Sequence, residues 1–184
     1  STLELQVVLD QVVQEAMYLI KNSHEAYIYL YENGDLVFGA ALDENGLRNQ
    51  QVSETLPDAL SQSVVRQKQT IIVEDMQVND LFANEAKKRK GSIIGIPLMM
   101  GDRVVGIMNL VRSRKGKFTQ PEIRLLAMLA DHAAIAINNA HLHQAVNRQA
   151  RSDTVTLLPN RRALDERLEE AIRHSNRSGC PFTV

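Results

Sequence analysis

Residues 92–112 read SIIGIPLMMGDRVVGIMNLVR, two long apolar runs separated by Gly101-Asp102. Two β-rich runs on either side of a short glycine-containing turn are typical of a β-hairpin. The same arrangement occurs earlier in the chain, where residues 26–31 and 36–42 flank the turn sequence ENGD at 32–35. The sequence therefore predicts two antiparallel strand pairs.

Helical patterns lie around these hairpins. Residues 2–21 place apolar side chains at steps of three and four, which predicts an amphipathic helix. A second helix is predicted to begin at residues 55–58 (TLPD), because proline is tolerated in a first turn, and to end near Lys68. Between that helix and the second hairpin, residues 70–74 (TIIVE) predict a short buried strand.

A long third helix is predicted to begin at a capping box formed by Thr119 and Glu122 and to extend to about Arg151. Two adjacent lines of side chains run along it in alternating steps of three and four, as in a coiled coil. One line consists of Leu125, Met128, His132, Ile135, Asn139, Leu142 and Val146; the other consists of Leu126, Leu129, Ala133, Ala136, Ala140, His143 and Asn147. A single domain needs only one stripe, so the second predicts a homodimer in which this helix pairs with its copy. The alternative is a helix that is broadly buried within one subunit.

The first predicted strand has two chemically different faces, because side chains alternate along a strand. Ala26, Ile28 and Leu30 make one face, and Tyr27, Tyr29 and Tyr31 make the other. We expect the aliphatic face to pack on the helices and the tyrosines to point toward a pocket or its rim. The alternative is that the tyrosines only cover an ordinary half-buried sheet.

The net charge, the cysteine count and the lengths of the apolar runs limit which partners and which cellular location the sequence predicts. The 184 residues carry a formal net charge of −1, so the overall charge does not predict nucleic acid or an anionic membrane as a partner. The single cysteine, Cys180, fits a reducing, cytoplasmic setting. No apolar run is long enough for a membrane helix, and the amphipathic start is not a signal peptide. Because the sequence begins with Ser1, we expect it to be a piece of a longer protein.

The order of these elements, together with IIVEDMQVNDLF at 71–82 and the run from residue 92 to residue 142, resembles a GAF domain. The resemblance implies an α+β fold with a central antiparallel sheet. The N- and C-terminal helices cover one face of the sheet, and a small-ligand pocket lies on the other. A long C-terminal signalling helix and one further helix follow. The predicted domains are 1–148 for the GAF domain with its exit helix, 149–152 for a linker, and 153–184 for a second fragment.

GAF domains bind varied ligands, and the sequence argues against several of them. The signature of cyclic-nucleotide-binding members is mostly missing, and the cysteines needed for bilin attachment or for methionine sulfoxide reduction are absent from the domain. No histidine is placed where we expect a pocket metal, and we predict that this chain holds no metal or cofactor. An unknown small molecule remains, with Tyr27, Tyr29, Tyr31, Phe38 and Asn109 as the candidate binding residues. The basic run at 87–90 is expected to be a solvated loop.

The segment that begins at residue 153, DTVTLLPNRR, resembles the start of a GGDEF domain, the catalytic module of diguanylate cyclases. The matching residues are Asp153, Thr156, Leu158, Asn160, Arg161 and Arg162, whereas Val155 and Leu157 depart from the family pattern. In that family, metal-assisted chemistry joins two GTP molecules into cyclic di-GMP. The metal-binding carboxylates come later in such domains, so we expect Mg²⁺ only in the parent protein's catalytic domain and no catalytic residue in this chain.

The predicted function is therefore a sensory or regulatory GAF domain that controls cyclic di-GMP synthesis through a dimeric signalling helix. Two alternatives remain open. The GAF domain could serve only as a dimerisation module without a ligand, or the parent GGDEF domain could be degenerate and bind nucleotide without catalysis.

Overall fold

The hairpin around Gly101-Asp102 lies within a six-stranded sheet in the computed structural model of the chain. The structure describes residues 2–48, 59–82 and 90–151, together with residues 168, 171–173, 175 and 177. The GGDEF-like motif predicted at 153–162, from Asp153 to Arg162, lies outside the described residues, as do the start of the second predicted helix and most of the basic run.

The described elements follow the predicted order closely. They are α1 (Thr2–Leu19), β1 (Ser23–Glu32), β2 (Asp35–Asp43), β3 (Gly46–Arg48), α2 (Ala59–Gln67), β4 (Ile71–Val73), a short 3₁₀ turn (Asp80–Phe82), β5 (Ser92–Met100), β6 (Arg103–Arg112) and α3 (Gln120–Arg151). Both hairpins are confirmed. The three-residue strand β3 was not predicted, because it is too short to show a repeating pattern.

The sheet is antiparallel throughout, in the order β3-β2-β1-β6-β5-β4. Its two outermost strands, β3 and β4, have three residues each. The turn between β1 and β2 places Asn33 and Gly34 at φ values of 53° and 97°. Positive φ at both central residues is the conformation that Asn-Gly favours in tight hairpins, which explains why this turn was recognisable.

One face of the sheet is covered by α1 and α3. Ala26 and Ile28 of β1 are fully buried there, in one cluster with Leu9 and Val13 of α1 and Ile137 of α3. Leu30 is partly buried against the same cluster. The predicted position of the aliphatic face of β1 is therefore confirmed. An α+β fold with terminal helices on one face of an antiparallel sheet is what the sequence predicted.

The opposite face of the sheet carries a second core. Leu60 and Val64 of α2 are fully buried there, with Met76 and Phe82 from the segment that follows β4. This second core contains Tyr27 and Tyr29 of β1, two of the ligand-binding candidates.

The chain divides into two compact units, Ser1–Ala140 and His141–Val184. Helix α3 extends to Arg151, so residues 149–151 of the predicted linker are helical. The predicted domain bounds themselves stay a prediction. No helix among the described ranges is both long enough and apolar enough to cross a membrane.

Candidate functional site

Two of the five candidate binding residues, Tyr27 and Tyr29, lie inside the core beneath α2. Each is only 5% exposed. Their rings meet edge to face, with centroids 5.6 Å apart and planes at 74°. Phe38 of β2 is partly buried against the same cluster. The tyrosines do lie on the predicted face, but these two rings contact neighbouring core side chains and therefore contribute to packing.

Asn109 of β6 is fully buried and joins the sheet to α2. Its Nδ2 donates a hydrogen bond to Ser61 Oγ over 2.8 Å. Its Oδ1 is buried and has no hydrogen-bond partner among the described residues. A buried acceptor without a partner costs roughly 1–3 kcal/mol, a cost that the surrounding core packing must offset.

Gly95 of β5 makes room for this arrangement. A Cβ atom at Gly95 would lie 2.8 Å from Asn109 Oδ1 and 2.9 Å from Val64 Cγ2. Any larger residue would push α2 away from the sheet or move the amide, since such contacts are shorter than van der Waals distance. The Asn109–Ser61 contact therefore depends on a glycine in the neighbouring strand.

Tyr31 differs from the other tyrosines because it lines open space. A surface cavity of about 640 Å³ lies between the β1–β2 turn and α2, lined by Tyr31, Gly34, Asp35, Leu36, Gln62, Val65 and Arg66. A second cavity of about 610 Å³ shares three of these residues and reaches the β5–β6 turn; it is lined by Tyr31, Val65, Arg66, Lys68, Met100, Asp102, Arg103 and Val104. We call these two adjoining cavities the Tyr31 cleft.

The charges of the Tyr31 cleft are mixed, with basic side chains in the majority. Arg66 Nη2 reaches Ser63 Oγ at 3.4 Å, a long and weak hydrogen bond. Lys68 Nζ donates to the backbone oxygen of Asp102 over 2.7 Å. This bond ties the end of α2 to the β5–β6 turn. The guanidinium of Arg66 is thus only weakly engaged, as is that of Arg103, whose Nη2 donates to Asn138 Oδ1 over 3.4 Å; both guanidinium groups suit carboxylate or phosphate oxygens.

A polar cluster joins β6 to the start of α3. Thr119 N donates to Glu122 Oε2 over 2.7 Å, and Glu122 N lies 3.5 Å from Thr119 Oγ1, so the predicted capping box is confirmed. Arg112 of β6 pairs with Glu122, and its guanidinium lies 4.2 Å from the ring centroid of Phe118. We call Arg112, Phe118, Thr119 and Glu122 the Arg112 cluster.

The electrostatics of the Arg112 cluster favour the ionised carboxylate. Partial burial acts to raise the pKa of Glu122, but hydrogen bonds from Thr119 and the charge and hydrogen bond of Arg112 outweigh it. The pKa of Glu122 is consequently lowered below its ordinary value of 4.5. The first turn of α3 is thereby held to the sheet by a charged pair that persists at neutral pH.

The segment between β6 and α3 is also tied to the chain that follows β4. Gly116 N donates to Glu74 O over 2.9 Å, and Lys115 Nζ lies 3.6 Å from Asp75 Oδ2. The neighbouring Met76, fully buried beneath α2, donates from its backbone to Gly91 O over 2.9 Å. A continuous set of contacts therefore runs from the core under α2 to the beginning of α3.

The two predicted lines of α3 have different environments. Leu126, Ala133 and Ala140 of one line are buried, and so are Ala130, Ala134 and Ile137 beside them. In the other line, Leu125 is 40% exposed, Met128 68%, Ile135 51%, Leu142 56% and Val146 61%. His132 and Asn139 of that line are also exposed. We call the line that runs from Leu125 to Val146 the outer stripe. The described side chains of this line are therefore not buried by the domain itself.

A similar exposed apolar line lies on α1 and was not predicted from the sequence. Leu3, Val7 and Tyr18 are 79%, 63% and 88% exposed. At 3.6 residues per turn they lie roughly opposite the buried Leu9 and Ala16. The spacing of these exposed residues could have been read from the sequence, but only the stronger, core-facing stripe of α1 was used. The Tyr31 cleft was missed for another reason: its residues are far apart in the sequence.

Metal ligation finds no support in the described residues. They contain no group of three or more His, Cys, Asp or Glu side chains placed to hold a metal ion. His132 and His143 are exposed on α3, and His24 Nδ1 lies 3.8 Å from Glu44 Oε2 at the surface.

Comparisons with known proteins agree with this architecture. The sequence profile of the GAF domain matches residues 2–138. YtrP of Bacillus subtilis is 28% identical over 83 residues, which cover 45% of this chain and 14% of YtrP. The formate hydrogenlyase transcriptional activator FhlA of Escherichia coli is 25% identical over 113 residues, 58% of this chain and 16% of FhlA. The chain therefore spans only a small part of the length of these relatives.

Solved structures show the same fold at lower identity. The GAF domain/HD domain protein from Geobacter sulfurreducens superposes with a TM-score of 0.64 at 20% identity, covering 75% of this chain and 94% of that one. A type II free methionine-R-sulfoxide reductase from Thermoplasma acidophilum gives 0.57 at 18% identity, covering 73% and 96%. Since the GAF profile matches most of the sequence and the terminal helices and sheet are arranged as in these structures, the chain belongs to the GAF family.

Proposed function

We propose that this chain is the sensory and regulatory part of a signalling protein, and that it acts as a homodimer through the outer stripe of α3. The observation that carries this proposal is the solvent exposure of Leu125, Met128 and Ile135, which form an apolar line on the side of α3 away from its own domain. Exposed apolar lines of this kind mark interaction surfaces, and a heptad-spaced line suits a second helix. The transcriptional activator among the relatives supports a regulatory role.

The dimer is tested by sedimentation of the chain and of the Met128→Glu variant. Met128 is 68% exposed, so the substitution leaves the fold of one chain intact but places a carboxylate within the dimer contact. We expect the wild-type chain to sediment as a dimer and Met128→Glu to raise the Kd by at least about a hundredfold. Val78→Glu is the matched control, because Val78 is 80% exposed and lies outside the helices. A wild-type chain that stays monomeric at high concentration contradicts the proposal.

The output that we propose is cyclic di-GMP synthesis by a GGDEF domain that follows α3. The support is the motif of residues 153–162, with Asp153, Asn160 and Arg161 at matching positions. Mg²⁺ would act in that domain, bound by carboxylates that lie beyond Val184. The longer protein is expected to convert GTP into cyclic di-GMP in the presence of Mg²⁺. If it binds GTP without conversion, the degenerate alternative holds instead. The single cysteine favours the cytoplasm as its location.

A ligand would act through the Tyr31 cleft. The cleft combines an aromatic side chain, the weakly engaged guanidinium of Arg66 and a partly apolar lining, the combination that small-molecule sites use. We therefore propose a small anionic ligand with a planar or apolar part, and mononucleotides are the probes of first choice.

Thermal shift measurements with mononucleotides, haem and small carboxylates test the ligand proposal. A ligand present at a thousand times its Kd stabilises the folded chain by about 4 kcal/mol, so its melting temperature rises. The shift is expected to disappear in Arg66→Ala and to remain in Arg114→Ala, where an exposed arginine outside the cleft is removed. If no probe shifts the wild-type chain, the alternative of a dimerisation module without a ligand is favoured.

A further inference from the structure

The outer stripe of α3 has a regular arrangement of polar and apolar layers. In heptad terms, Leu125, His132 and Asn139 occupy a positions, while Met128 and Ile135 occupy d positions. All five side chains are exposed in the single chain. The same repeat continues in the sequence with Leu142 at d and Val146 at a, and both side chains are exposed. Every d position is therefore apolar, whereas two of the four a positions are polar.

Heptad positions b, c and f are already used by the domain. The side chains that α3 buries in its own core, Leu126, Ala130, Ala133, Ala134, Ile137 and Ala140, occupy positions b, c and f. These positions lie about half a turn around the helix axis from a and d. The a and d positions are thus free to meet a partner without disturbing the core.

We infer that two copies of α3 pair in parallel and in register, with the Asn139 side chains facing each other. In a parallel pair an a residue meets the same a residue of its partner, so Asn139 meets Asn139 and His132 meets His132. Two amides placed in this way can donate to and accept from each other. A single buried Asn at an a position is known to fix register and the number of strands at some cost in stability.

An antiparallel pair would lose this match. In that orientation a positions face d positions, so Asn139 and His132 would each lie against Met128, Ile135 or Leu142 of the partner. A polar group buried against apolar side chains without a hydrogen bond is destabilising. Both polar residues of the stripe lie at a positions, and every d residue is apolar. This arrangement therefore favours the parallel orientation over the antiparallel one.

Disulfide trapping tests this inference, which rests on the homodimer proposed above. Met128→Cys and Ile135→Cys are made singly in the Cys180→Ser chain, and each is oxidised gently. In a parallel, in-register pair both positions face their own copies, so both variants are expected to crosslink almost completely. An antiparallel pair has only one point where a residue faces itself, so at most one of the two would crosslink. Asp102→Cys, exposed on the β5–β6 turn, is the control for random collision.

Sedimentation of the same variants distinguishes a failure of the parallel register from a failure of the homodimer. Dimers in which only one position or neither position crosslinks would overturn the parallel register and leave the homodimer standing. Reduced chains that sediment as monomers would overturn the homodimer itself, and the register with it.

Asn139→Leu gives a second and independent readout. Replacing the amide by an apolar side chain is expected to lower the dimer Kd on the order of tenfold and to introduce trimers or tetramers. The adjacent Asn138, at position g, provides the control Asn138→Leu, for which neither effect is expected. An Asn139→Leu chain with unchanged or weaker association would contradict the placement of Asn139 within the contact.

Discussion

Arg112 connects the sheet to α3 through several different interactions. Its guanidinium pairs with Glu122, donates to Lys117 O over 3.2 Å and lies over the ring of Phe118. Its Nε is buried and has no partner among the described residues. Because the cluster begins the helix that we propose to transmit a signal, its strength decides how firmly α3 is held to the sheet.

We predict that Glu122→Gln lowers the free energy of unfolding by about 1 kcal/mol at pH 7. A glutamine retains the hydrogen bonds of the capping box but loses the charge that attracts Arg112. The folded pKa of Glu122 is depressed, so its stabilising contribution is complete above the ordinary value of 4.5 and is lost as the pH falls through the lowered pKa.

Urea unfolding of both proteins between pH 3 and pH 7 measures this effect. The two unfolding free energies should converge toward the acidic end of the range. Glu15→Gln on α1, where the half-buried Glu15 accepts a hydrogen bond from Gln11, serves as the control and should follow the wild-type chain. A difference between wild type and Glu122→Gln that is the same at every pH would mean that the charge of Glu122 is not responsible.

At the scale of elements, α3 has one buried side and one exposed side, and we propose that the exposed side serves association. Adjacent leucines show this most directly. Leu126 is fully buried against the sheet, whereas Leu125, one position earlier, is 40% exposed on the outer stripe. Two residues of the same type in the same helix turn therefore have different surroundings.

We predict that Leu126→Ala lowers the free energy of unfolding by about 2–5 kcal/mol, because it leaves a cavity in the core. Leu125→Ala should change that free energy by less than about 1 kcal/mol and instead weaken the dimer. Urea unfolding below the dimer Kd, followed by sedimentation at higher concentration, distinguishes the two effects. Equal destabilisation by both variants would show that α3 does not have two separate faces.

These leucines also show how far the sequence could predict the structure. The spacing identified both lines of α3, and the turn sequences identified both hairpins with nearly correct bounds. The spacing could not say which line faces the core, because both are apolar and only packing against the sheet distinguishes them. It also could not assemble the Tyr31 cleft, since Tyr31, Arg66 and Arg103 meet only after the sheet has formed and α2 has packed on it. Tyr27 and Tyr29 were placed on the correct face, but their burial depends on α2.

At the scale of the whole molecule, the described core belongs to the first compact unit. The described apolar residues that are buried extend from Leu9 to Ala140, and the family match ends at residue 138. The outer stripe, in contrast, continues past that point at Leu142 and Val146.

We predict that a chain ending after Ala140 folds with nearly unchanged stability but dimerises more weakly. The truncation retains the described core and removes two apolar residues of the stripe, each of which contributes roughly 1 kcal/mol or more to association when buried. Circular dichroism melting of the dilute chain and sedimentation of the concentrated chain test the two parts. A truncated chain that fails to melt cooperatively would show that residues beyond 140 are needed for folding.

The short outer strands β3 and β4 have a consequence for behaviour at high concentration. An exposed strand edge offers unpaired N–H and C=O groups that can recruit a strand from another molecule, and long edges aggregate most readily. Within the described ranges each outer strand has only three residues, so each described edge offers few backbone groups for such recruitment. In crowded solutions these described edges should therefore contribute little to growth of the sheet into fibrils.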